Sequence, residues 1–128
     1  MPVPTLKLPL LQAGSFSARP AAADGAIHLA LIGTADLTVK PEFDRFMKAL
    51  HEEALRLEVR EVVVDLEALE FMNSSCFKAL VTWVLSIDME AGPRRYGITF
   101  LENAQRQWQR HCLKALSALS PERVAVRA

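Results

Sequence analysis

The sequence predicts a single α/β domain: a mixed, mostly parallel sheet of four to five strands with helices packed on it. Three observations carry this. Apolar β-type runs and amphipathic helical stretches alternate three times along the chain, the order expected of parallel strands joined by helical crossovers. One run, Val62-Val63-Val64, is unbroken by any polar residue, as in a central strand covered on both faces. The chain is 128 residues long, enough for one domain with a core and too short for two.

Taken in order, residues 1–25 read as an N-terminal edge strand and loop within the same domain, and residues 26–128 as its main body. Pro9 interrupts the apolar run 6–11, so a strand there belongs on an edge, paired antiparallel with the next segment. Residues 13–25 are rich in Ala, Gly, Ser and Pro and read as a loop. A strand is predicted over 27–32, ending at Gly33. Phe43, Phe46, Met47, Leu50, Ala54 and Leu57 then mark the buried stripe of a helix over 38–58. Pro41 suits its first turn, where a missing N–H is no loss, and Glu42 and Asp44 suit the positive end of its dipole.

The triple-valine strand spans 61–66, and residues 67–72 read as a link. A second helix covers about 74–90, with Phe77, Leu80, Val81, Val84 and Ile87 inward and Lys78, Thr82, Ser86 and Glu90 on the wetter side. Gly92-Pro93 stops it. A strand at 98–101 and a helix capped by Asn103 come next, the helix burying Trp108, Cys112, Leu116 and Leu119. Val124 to Val126 add a last strand. Arg106, Arg110 and Lys114 give the third helix a basic side, a solvated face by default and a docking surface for an acidic partner as the second reading.

Composition narrows the function. Fifteen basic and fifteen acidic residues cancel, which argues against coating nucleic acid or a membrane surface, since both need a positive field. No apolar run approaches the ~20 residues of a membrane span. The first eleven residues lack the charged start and long apolar core of a signal peptide. Cys76 and Cys112 match no metal or redox spacing and fall at apolar helix positions, as reduced thiols of a cytoplasmic protein do. In that compartment the sequon Asn73-Ser74-Ser75 goes unused.

His28, His51 and His111 form no ligand spacing, so no metal is expected, and surface or boundary roles are expected for all three. No nucleophile elbow surrounds Ser74, and there is no glycine-rich phosphate or dinucleotide loop. The chain is therefore expected to be non-enzymatic and to need no cofactor.

The informative segment is Asn73-Ser74-Ser75, where a buried strand feeds a helix. First-turn N–H groups lack internal partners and want small oxygen-bearing side chains as caps. The same N–H groups and the helix dipole tolerate a phosphate. Ser74 stands four residues before Lys78 and eight before Thr82, on the solvent-facing stripe, whereas Ser75 lies above Ala79 and Trp83. Ser74 is thus the exposed hydroxyl of the two. Plain capping is the bland reading of this tripeptide.

The run VVVDLEALEFMNSSCFKAL, from Val62 to Leu80, resembles the signature of the STAS domain, in which an apolar strand ending in Asp-Leu leads to Phe, a hydrophobic residue and Asp-Ser-Ser-Gly-Leu. Upstream, LALIGTADL is similar to the family's strand followed by Gly, two residues and Asp, with Gly33 and Asp36 in those positions. The resemblance covers about residues 26 to 127 and implies a STAS-like fold. Among bacterial anti-sigma factor antagonists it implies a signal-transduction module that docks to a serine kinase that is also an anti-sigma-like protein, with a phosphatase as a further partner. The matching phosphorylation site is Ser74. Asp36, Asn73, Ser74, Ser75 and Lys78 would form the partner-binding rim. Asn73 and Cys76 stand where the family has Asp and Gly. Two further readings are a constitutive scaffold or accessory subunit with Ser74 serving only as a helix cap, and a thiol-dependent sensor using Cys76, whose place in a first helical turn can lower a thiol pKa.

Overall fold

A computed structural model describes residues 5–128. The first four residues, part of the stretch read as lacking a signal peptide, lie outside the described residues. In chain order the elements are β1 (Leu11–Ala13), β2 (Phe16–Ala23), β3 (Ala26–Ala35), α1 (Lys40–Arg56), β4 (Glu61–Asp65), β5 (Leu69–Met72), α2 (Ser74–Asp88), β6 (Gly97–Leu101), α3 (Gln107–Leu119) and β7 (Val124–Arg127). Short 3-10 turns, Leu37–Val39 and Gly92–Arg94, precede α1 and β6.

The seven strands form one sheet in the order β1-β2-β3-β4-β6-β7, with β5 attached to β3. The pairs β3–β4, β3–β5, β4–β6 and β6–β7 are parallel, while β1–β2 and β2–β3 are antiparallel. The expected mixed, mostly parallel sheet is present with more strands than the four to five predicted. The extra ones lie in stretches expected to be irregular, and the edge strand expected over residues 6–11 is shifted to β1, with residues 6–10 outside any strand. Residues 13–25 are not a loop: β2 pairs with β3 from Ser17 opposite Ile32 to Ala23 opposite Ala26. Pro20 is tolerated there because β1 ends its pairing at Ala18 and leaves that edge of β2 open. Residues 69–72 of the expected link are β5, which takes up the second half of the β3 edge.

Burial alternates along β4 and the first half of β3, and the large apolar side chains place the core on one face. Ile27, Leu29 and Leu31 of β3, Val62 and Val64 of β4, and Ile98 and Phe100 of β6 join one cluster with Phe43 and Leu50 of α1, Leu80 and Val84 of α2, and Leu113 and Leu116 of α3. Phe16 meets Phe43 edge-on, and Trp83 meets Phe100 likewise. The other face carries His28, Val63, Thr99 and Ala125 in register, with His28 and Ala125 exposed at its edges, Val63 half-buried and Thr99 buried at its middle. The triple valine is therefore not covered on both sides as expected. Glu61 accepts a hydrogen bond of 2.6 Å from the Thr99 hydroxyl on that face, which suits a polar, helix-free surface.

α1 behaves as its spacing predicts, burying Phe43, Phe46, Met47, Leu50 and Ala54, with Pro41 in its first turn. α3 is rotated from the predicted stripe. It buries Gln109, Leu113 and Leu116, leaves Trp108 and Cys112 half-buried, and exposes Leu119. Asn103 does not cap it. Its side chain accepts from the Gln105 N–H in the preceding turn, and Arg106 takes the cap position without a side-chain bond. No helix among the described residues is long and apolar enough to cross a membrane.

Glu53, though acidic, is buried on α1. Its carboxylate accepts from the Lys7 N–H at 2.7 Å and from Arg56 at 2.6 and 2.9 Å, while Arg56 also donates to the Thr5 carbonyl. This clamp holds the start of the described chain on the helix. The Arg56 hydrogen bond holds the Glu53 carboxyl below its usual range, against the opposing effect of burial. A depressed carboxylate pKa stabilises the fold above the unfolded value, about pH 4.3, and that contribution is lost as pH falls through the lower folded value. Glu53→Gln is expected to destabilise by about 1 kcal/mol at pH 7 in urea melts, with the gap to the parent shrinking as the pH is taken below about 4.

Candidate functional site

Parallel pairing of β3 and β5 builds the rim. Ala35 lies opposite Met72, so the next residues, Asp36 and Asn73, leave the sheet side by side. The Asn73 N–H donates to the Ala35 carbonyl at 2.8 Å and fixes that neighbourhood. Getting there requires β3 to pass from β4 to β5, and it does so at Gly33. That residue has φ of +90°, lies at a shift in strand register, and donates its N–H to the Ala68 carbonyl at 2.9 Å. The glycine is thus a bend within the strand and not its end.

Each of the two chain exits is capped. The Asp36 carboxylate accepts from the Thr38 hydroxyl at 2.5 Å and the Thr38 N–H at 3.0 Å, starting the 3-10 turn into α1. These bonds, the hydroxyl first, lower the Asp36 pKa, so the exposed rim carries a fixed negative charge at neutral pH. Asn73 caps α2, its side-chain oxygen accepting from the N–H groups of Ser75 at 2.7 Å and Cys76 at 3.2 Å.

That geometry corrects the reading of Ser74 as the helix cap. Asn73 holds that post because β5 ends at Met72, and the next residue is the one with extended backbone in front of the helix. Ser74 is the first residue of α2 and is exposed, and its hydroxyl has no hydrogen-bond partner among the described residues. Ser75 is half-buried, and Lys78, one turn on, is exposed. The carboxamide of Asn73 performs the capping that an Asp would perform, without its charge.

Cys76 lies beneath this rim, fully buried, with its thiol donating to the Asp36 carbonyl at 3.3 Å. Burial, reinforced by the nearby Asp44 and Asp36 charges, pushes its pKa up, opposite to the shift a reactive thiolate needs. Burial and the raised pKa both count against the thiol-sensor reading. The sulfur instead ties α2 to the 3-10 turn.

Two exposed apolar side chains border the rim and were not singled out in the sequence. Leu37 follows Asp36 and is 61% exposed; Phe71 precedes Met72 and is 49% exposed. Phe71 leans on Trp108 with ring centroids 6.4 Å apart, and Trp108 donates to the Glu70 carbonyl. A leucine directly after a capping Asp, with no helical partner to staple, was the available signal for the first. The second was hidden inside the supposed link.

Behind the rim, α1 and α2 enclose a groove of about 460 Å3. Two of its lining side chains, Trp83 and His51, are held from behind by a polar chain. The buried Tyr96 hydroxyl accepts from the Trp83 indole N–H at 2.8 Å and lies 2.7 Å from His51 Nδ1, while His51 Nε2 lies 3.1 Å from a Glu90 carboxylate oxygen. Since a carboxylate can only accept, His51 Nε2 is the donor toward Glu90. Burial pushes the Tyr96 phenol far above its ordinary pKa, so it stays a donor. His51 is a half-buried connector, a boundary role, while His28 and His111 are exposed. No group of three potential metal ligands occurs among the described residues. The basic side chains of α3 diverge in role: Arg110 approaches Glu102 at 3.8 Å, Lys114 is exposed, and the Arg106 Nε is buried without a partner among the described residues.

No family model and no curated protein matches the chain. Among solved structures it is similar to the crystal structure of an anti-sigma factor antagonist from Mycobacterium paratuberculosis, with a TM-score of 0.59, 21% identity and 90% of each chain covered. The chain therefore has a STAS-like fold.

Proposed function

We propose that this chain is a non-enzymatic regulatory module of bacterial signal transduction, acting in the cytoplasm. It docks through the rim of Asp36, Asn73, Ser74, Ser75 and Lys78 to a serine kinase that is also an anti-sigma-like protein. Phosphorylation of Ser74 releases that partner, and a phosphatase resets it. The observation that carries the reading is Ser74: exposed in the first turn of α2, relieved of capping by Asn73, and on the same rim as Asp36, whose pKa is lowered. The fold shared with an anti-sigma factor antagonist supports it.

The physics of release is electrostatic. A phosphate adds nearly two negative charges next to the fixed charge of Asp36, inside a contact that must shed water to form. Leu37 and Phe71, exposed beside the rim, offer apolar surface that such a contact could bury.

Protein isolated from its own cells is expected to show, by intact mass and fragment analysis, a species heavier by one phosphate on Ser74. That species is expected to disappear in Ser74→Ala. With Ser74→Ala as bait in extracts of those cells, a protein partner is expected to be retained. Ser74→Glu is expected to hold the same partner at least about thirtyfold more weakly, on the order of 2 kcal/mol. Equal capture by both variants, with Ser74 unmodified in every growth phase, would remove the switch.

A further inference from the structure

We infer that the groove between α1 and α2 is a binding site for a small organic anion: a ring-sized apolar body with one acidic head group. Met47, Lys48 and His51 line it from α1, and Lys78, Ala79 and Trp83 from α2, around about 460 Å3. That is the size class of small-molecule sites. Its base is apolar and aromatic, because Met47, Ala79 and Trp83 are core residues whose edges reach the groove. Ala79 is what keeps the space open, as a larger residue there would fill it.

The site is preformed. Trp83 cannot swing into the groove because its N–H is held by Tyr96, and His51, on the facing helix, is held by Tyr96 and Glu90. Rigid walls lower the ordering cost that a ligand must overcome. The charge selects an anion. Lys40 is neutralised by its ion pair with Asp44, whereas Lys48 and Lys78 make no ion pair among the described residues. Lys48 comes from α1 and Lys78 from α2, so positive charge flanks the groove on both walls and favours an anionic head group. Lys78 also belongs to the Ser74 rim, so an occupied groove would alter the surface a partner meets.

The test uses the purified full chain without any partner, so its outcome is independent of the Ser74 reading. The chain has two tryptophans, and Trp108→Phe leaves Trp83 as the sole reporter. Titration with 1-anilinonaphthalene-8-sulfonate is expected to quench Trp83 along a saturable one-site curve. The paired change Lys48→Glu with Lys78→Glu is expected to weaken binding about tenfold or more, as loss of charged contacts does. The paired Lys→Arg change is expected to retain it, and Thr82→Phe, on the exposed lip, to block it. Lys48, Lys78 and Thr82 are exposed, so changes there keep the fold, and the half-buried Trp108 lies outside the groove, where phenylalanine keeps its aromatic contact with Phe71. Absence of saturable quenching overturns the assignment, as does equal binding by the Glu pair, or a naphthylmethylammonium cation binding as well as the sulfonate. A lysine-dependent complex with an acidic helical peptide, or a lysine-dependent dimer in sedimentation, formed while the sulfonate fails to bind, overturns it too.

Discussion

Gly33→Ala is expected to destabilise the protein by on the order of 3–5 kcal/mol and to lower Tm by on the order of 10–20 °C. Two costs add. With φ at +90°, the backbone is in a region that side chains rarely adopt, and an added Cβ would lie 1.8 Å from the Ser15 carbonyl oxygen in the β1–β2 turn. That oxygen belongs to backbone, so no side-chain rotation relieves the clash. Gly14 provides the control: its φ is +58°, yet a Cβ there meets nothing within 4 Å, and Gly14→Ala is expected to cost only about 1 kcal/mol. Denaturant melts of the two variants separate strain from collision. If they are equally stable, the close approach of β3 to the β1–β2 turn is wrong. Because Gly33 is where β3 turns toward β5, its replacement is also expected to loosen the pairing that sets Asp36 beside Asn73.

The second large effect is expected at Gln109. Its side chain is wholly buried, with Nε2 donating to the carbonyls of Leu66 at 2.8 Å and Leu69 at 3.0 Å, and Oε1 accepting from the Asn103 N–H at 2.8 Å. One amide therefore ties the end of β4, the start of β5 and the loop after β6. Gln109→Leu keeps most of the volume but strands the Asn103 amide and the Leu69 carbonyl; the Leu66 carbonyl retains the Leu69 N–H. A loss of about 2–4 kcal/mol is expected, each stranded group costing about 1–3 kcal/mol. Gln107→Leu, on the exposed side of the same helix, is expected to stay within about 0.5 kcal/mol of the parent. Hydrogen exchange checks the local claim: the Asn103 amide is expected to lose its protection in Gln109→Leu before the central strands do.

Gln109 also explains why α3 was legible only in outline. Its helical period was plain, but a polar residue at the most buried position turned the apparent stripe toward Trp108 and Cys112. A pattern of apolar residues cannot reveal a buried side chain chosen for its hydrogen bonds. β2 was hidden for a different reason. Ala18 and the run Ala21-Ala22-Ala23 carry little strand propensity, and the element exists because β3 offers it a long edge to pair with. β5 is four residues long, and its outward Phe71 broke the expected inward pattern. By contrast β4, α1, β6 and β7 were readable because period, length and flanking residues agreed. At the rim, the sequence showed adjacent residues able to cap and favoured Ser74 as the exposed one. Only the strand register could assign the capping itself to Asn73.

That division of labour means that position 74 bears no part of the architecture. Among the described residues its hydroxyl bonds nothing, and it closes no helix end. A group can therefore be exchanged there again and again with the melting temperature essentially unmoved, so the chemistry at this point is answerable to visiting molecules alone.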